Sequence, residues 1–106
     1  MAGDNMPISE QFRIVSKEWV DADAAANMLE ESKTATLARL VAEQGDVPVN
    51  RAENNVKASA GWQLYIEEMV NARSKASFLK VKMEYYRMRF SEQQSAEATK
   101  RSEMRL

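Results

Sequence analysis

From Trp62 onward, every third and fourth residue in turn is apolar: Trp62, Tyr65, Met69, Ala72, Ala76, Leu79, Met83, Tyr86 and Phe90. The steps alternate three and four without an error through four heptads. A strand would expose half of these side chains, because its period is two. A helix of 3.6 residues per turn gathers them into one stripe, which needs other helices to cover it. The stripe therefore predicts an all-α chain.

A second stripe precedes it: Ile8, Phe12, Val15, Trp19, Ala22, Ala26, Leu29, Lys33, Thr36 and Leu40. Lys33 and Thr36 interrupt its apolar run. The small residues from Ala22 to Ala26 allow a neighbouring helix to come close. Between the two stripes, Gly45 suits a left-handed C-terminal cap and Pro48 prevents continuation of the helix. A short connector joins the arms, so they are expected to pack antiparallel as a long, coiled-coil-like helical hairpin. Trp62 is then expected beside Leu40 or Val41, and Phe90 beside Phe12.

The expected boundaries are a single helical domain over 1–106. It comprises a frayed N-terminus at 1–8, a first helix at 9–44, a short connecting helix at 51–58, a long basic helix at 60–100 and a frayed tail at 101–106. Ser9 is the expected cap of the first helix. Asn50 with Glu53 forms a capping-box variant before the short helix, and Ser59 is placed to cap the long one. The β-branched Ile14, Val15 and Val20 leave two readings of the first arm, continuous or broken near Ser16.

Composition narrows the chemistry. The 106 residues include no cysteine and no histidine. Disulfides, thiolate catalysis and cysteine-ligated zinc are excluded, as are Ser-His and Cys-His nucleophile pairs. The three glycines stand at 3, 45 and 61, so no glycine-rich phosphate loop exists. The carboxylate pairs Glu30–Glu31, Glu67–Glu68 and Asp21 with Asp23 sit on helical faces, where a solvated role is the expectation. We expect no enzyme, no cofactor and no metal site. No apolar run is long enough to span a membrane, and Met1 to Pro7 lacks a signal-peptide pattern. Together with the absence of cysteine, this gives a cytoplasmic expectation.

The net charge of −1 hides an asymmetry. Residues 1–70 carry 6 Lys and Arg against 12 Asp and Glu, a balance of −6. Residues 71–106 carry 9 against 4, a balance of +5. Lys80, Lys82, Arg87, Arg89, Lys100, Arg101 and Arg105 are the candidate contacts to a nucleic acid or protein partner. Tyr85, Tyr86 and Phe90 lie among them, where aromatics could stack on bases. The alternative is that the basic arm is neutralised by the acidic first helix.

Phe78, Val81, Tyr85 and Met88 form a further apolar stripe on the long helix, wider than a hairpin requires. It is the candidate oligomer interface. The alternative is that the short helix and the N-terminal segment fold back over it.

The order of several segments resembles a group of small all-helical early-region proteins of tailed bacteriophages and prophages, encoded near recombination genes. The matching stretches are Trp19-Val20-Asp21-Ala22-Asp23-Ala24-Ala25, the turn Leu40 to Gly45, Lys57-Ala58-Ser59, Tyr86-Arg87-Met88-Arg89-Phe90 and Thr99 to Met104. The resemblance spans residues 16–105 in order and spacing. That family has no assigned activity. It implies a non-enzymatic accessory or scaffolding protein of the host-cell cytoplasm, acting by protein–protein contacts near DNA recombination or replication. A single-stranded nucleic-acid-binding protein using the basic helix is the second expectation. An inhibitor of a host enzyme or defence system is the third.

Overall fold

The computed structural model describes residues 6–105. Among them the elements are α1 (Ile8–Glu31), α2 (Lys33–Ala42), α3 (Val49–Lys57) and α4 (Ala60–Met104), with no strand. α4 packs along α1 as the long arm of an antiparallel hairpin. The molecule measures 83 × 26 × 15 Å, a rod rather than a ball. At 1.5 Å per residue the 45 residues of α4 span about 67 Å. No helix among the described residues is long and apolar enough to cross a membrane.

The seam forms where the two stripes meet. Every one of the nine positions from Trp62 to Phe90 is buried or half-buried. Ala22 and Ala26 of α1 meet Ala76 and Leu79 of α4, with Trp19 and Ala72 packed at the margin. Small residues on both sides bring the two helices together there. At the open end Phe12 and Phe90 meet edge to face, with ring centroids 6.3 Å apart.

The helix starts differ from the expectation. Both prolines open helices. Pro7 (φ −56°, ψ 149°) precedes α1, and its carbonyl accepts from Glu10 N–H at 3.0 Å. Pro48 (φ −53°, ψ 140°) precedes α3, and its carbonyl accepts from Ala52 N–H at 2.9 Å. Ser9 and Asn50 therefore lie inside the first turns instead of capping them. A proline ring already fixes the φ that the junction needs, and a first-turn position has no use for a further N–H donor. Ser59 does cap α4: its hydroxyl accepts from Trp62 N–H at 3.2 Å and donates to Val56 C=O at 2.6 Å. Gly45 takes φ 75° in the turn after α2.

The first arm is not one helix over 9–44. It runs unbroken through Ser16 and breaks at Ser32 instead. The cause is visible in the stripe, where Leu29 is the last apolar seam residue before Lys33. Lys33 is exposed, and a lysine at a seam position cannot be buried against α4 without a partner. Beyond the break, α2 packs mainly against α3 rather than along α4, so the Trp62 to Leu40 register does not carry the packing there. Ser32 N–H still bonds Met28 C=O at 3.0 Å. The carbonyl of Leu29 accepts from the Tyr65 hydroxyl of α4, which ties the end of α1 to the long helix. Trp62 stacks on Tyr65 with centroids 5.5 Å apart and is itself buried.

α4 continues past the seam. Every residue from Ser91 to Arg105 is exposed, yet the helix holds to Met104. Residues 101–104 are thus helical rather than a frayed tail. Ile8 already belongs to α1. The expectations for residues 1–5 and for Leu106 lie outside the described residues.

Candidate interaction site

α4 presents two surfaces. The seam takes one side of it, and a second set of residues, spaced three and four apart among themselves but one or two positions from the seam residues, falls on the far side. Phe78, Val81, Tyr85 and Met88 are there, between 49% and 68% exposed. No described segment folds back over them. An apolar band of this kind on a small protein is uncommon unless something covers it.

Basic side chains border the band. Lys80, Lys82, Arg87 and Arg89 are all exposed, as are Lys100, Arg101 and Arg105 further along. Among the described residues none of the seven takes part in an ion pair. Arg89 instead leans on the band: its Nη1 donates to the Tyr85 hydroxyl at 2.9 Å, and the guanidinium carbon lies 5.9 Å from the centre of that ring. Tyr86 and Phe90 are half-buried in the seam, so of the three aromatics among the basic positions only Tyr85 is exposed for stacking.

One cation does cross to the acidic arm, and it was not among the candidate contacts. Arg73 Nε and Nη2 donate to the two carboxylate oxygens of Glu30, both at 2.8 Å. Its Nη1 donates to Asp23 at 2.8 Å and Nη2 to Asn27 at 2.6 Å. The planar fork of arginine suits this bidentate grip. The hydrogen bonds from Arg73 hold the Glu30 carboxyl below its ordinary value, against a smaller opposing effect of desolvation. Glu30 and Asp23 hold Arg73 above its own ordinary value. The signal was present in sequence: Asp23, Asn27 and Glu30 recur at helical spacing on one flank of α1, and Arg73 follows the seam residue Ala72.

Asp23 and Glu30 are engaged by Arg73, while Asp21, Glu31, Glu67 and Glu68 are exposed. Among the described residues no cluster of potential ligands is arranged to hold a metal ion.

On the opposite flank the alanines leave a groove of about 720 Å3 along the α1–α4 junction. Ala22, Ala25, Ala72 and Leu79 form its floor, Glu18 and Asp21 its α1 rim, and Lys75 and Phe78 its α4 rim. A smaller hollow continues it between Glu18 and Lys82. The fold and this surface define an all-α helical hairpin with an uncovered basic and apolar helix face. No family model, curated protein or solved structure matches the chain.

Proposed function

We propose that this protein is a non-enzymatic accessory scaffold that works by protein–protein contacts made through the free face of α4. The observation that carries the reading is the uncovered band of Phe78, Val81, Tyr85 and Met88, bordered by cations that no described carboxylate neutralises. The hairpin supplies a stiff rod, and the band gives it a surface for self-association. The basic side chains around it suit an acidic partner protein. The setting implied by the phage resemblance, near DNA recombination or replication in the host cytoplasm, belongs to the same proposal. Sedimentation equilibrium tests it with the wild type and Phe78→Glu. The expected result is an assembly for the wild type in the micromolar range and a monomer of equal helix content for the variant. A wild type that stays monomeric throughout that range rejects the self-association.

A second reading rests on the outward placement of Lys80, Lys82, Arg87, Arg89, Lys100, Arg101 and Arg105. Such a surface suits single-stranded nucleic acid, with affinity falling by roughly 0.7 units of log–log slope per phosphate contact as salt rises. Filter binding at low salt decides it, and no retained complex leaves protein contact as the function.

A further inference from the structure

We propose that a second copy of this chain docks on the groove flank of the hairpin, with a twofold axis parallel to α4, so that each Phe78 enters the alanine groove of the other copy. This rests on the reading of the Phe78 band as a self-association surface, and it specifies which side of that band the copy covers.

The groove and the side chain that fills it are on the same flank of one molecule. Phe78 is 66% exposed at the groove edge. The floor is alanine on both helices, with Leu79 alone reaching up between them. A flank that carries both the knob and the hole is self-complementary, which is the requirement of an isologous interface.

Charge selects the orientation. On this flank the α1 rim is acidic, with Glu18 and Asp21, and the α4 rim is basic, with Lys75 and Lys82. These groups do not pair across the groove within one chain; Asp21 reaches only Lys17 of its own helix, at 3.9 Å. A twofold axis perpendicular to the helices, lying in the interface, lays α1 on α1 and α4 on α4. That sets carboxylates against carboxylates and lysines against lysines. An axis parallel to the helices lays α1 of one copy on α4 of the other. Lys75 then meets Asp21 of the second copy, and Lys82 meets its Glu18. No shift along the rod is needed, because the residues of each pair already line the same hollow. Packing the outer band of α4 directly on itself is the remaining option. It crowds Lys82 and Arg89 of two copies together, which opposes association. The product is a four-helix bundle in which Val81 and Met88 stay outward, free for a different partner.

The absence of native cysteine makes the test direct. Two single-cysteine variants, Asp21→Cys and Lys75→Cys, alter exposed positions outside the seam. Oxidised alone, each should remain uncrosslinked, since like positions lie diagonally across the bundle. Oxidised as a mixture, they should give a disulfide-linked heterodimer. Lys75→Glu should weaken the dimer by about tenfold or more, and Lys75→Glu with Asp21→Lys in one chain should restore it. A mixture that does not crosslink, while Val81→Cys alone does, overturns the groove geometry and leaves self-association through the outer band standing. A monomeric wild type overturns both.

Discussion

Leu79→Ala measures directly whether the seam is what holds this rod together. Leu79 is 7% exposed and sits in the cluster with Ala22, Ala26 and Ala76. The substitution removes three carbon groups, worth about 2.4 kcal/mol at roughly 0.8 kcal/mol each. A closed cavity would add to that, since the buried members of the cluster around it are alanines, with no side-chain rotamers to swing into the space. However, Leu79 also lines the open groove, so the vacated volume joins solvent instead of becoming a sealed void. The cavity penalty is therefore small, and the expected loss is about 2–3 kcal/mol, in the lower part of the usual range for Leu→Ala. Val81→Ala is the control. At 68% exposed it should cost no more than about 0.5 kcal/mol. Urea unfolding followed by far-UV circular dichroism gives both values, taken at several protein concentrations because self-association stabilises by mass action. A Leu79→Ala loss as small as that of Val81→Ala would refute the seam as the source of stability. A concentration-dependent loss for Val81→Ala would place it in an interface.

Arg73→Met should lower the melting temperature, and high salt should shrink the difference, because the clamp is only half-buried. The same variant should flatten the acid response. Glu30 is held below its ordinary value of 4.5, so its contribution is full above that pH and is lost as pH falls through the lower folded value. Melting temperatures from pH 6 downward should therefore converge for wild type and variant, and parallel curves would contradict the clamp. Tyr65→Phe keeps the ring against Trp62 but removes the hydroxyl that serves the Leu29 carbonyl, at an expected cost of about 1 kcal/mol in urea unfolding. Ser16→Ala should raise stability by about 1 kcal/mol, since the Ser16 hydroxyl oxygen is buried with no hydrogen-bond partner; a destabilised variant would show that the hydroxyl is satisfied in solution.

The hairpin was legible because a strict three-four alternation leaves a helix only one face to bury. Phe12 against Phe90 follows from the same count, since antiparallel arms joined at Gly45–Pro48 bring those two positions to one level. The break in the first arm was missed: the stripe showed Lys33 and Thr36 as interruptions, but one helix was expected over 9–44, and the break weighed near Ser16 does not occur. The helix penalty of the β-branched residues there is a few tenths of a kcal/mol each, and burying Val15 outweighs it. A lysine at a seam position is a larger conflict, and the helix breaks beside Lys33. The caps were misread because Ser9 and Asn50 have the familiar side chains, whereas the preceding prolines already supply the geometry. At the site, sequence could place the basic residues outside the seam, but the charge balance did not single out Arg73 as the cation that crosses it. A charge balance adds signs along the chain. It does not record that Asp23, Asn27 and Glu30 share one flank.

That crossing leaves most cations of the basic arm without a carboxylate of α1 among the described residues. If α1 existed to neutralise α4, several of its carboxylates would meet Lys80, Lys82, Arg87 or Arg89. Among the described residues only Asp23 and Glu30 reach across, and both go to Arg73 near the middle of the seam. The cations further along α4 lie beside the uncovered apolar band or on the projecting segment from Ser91 to Met104. That segment buries nothing, and a polar stretch of its length is marginal as an isolated helix. It persists as the continuation of a helix already nucleated by the seam. A chain selected only to fold gains little from such an extension. Its charge is carried beyond the hairpin on a helix held straight by the packing behind it, which is the arrangement expected of a surface offered to another molecule.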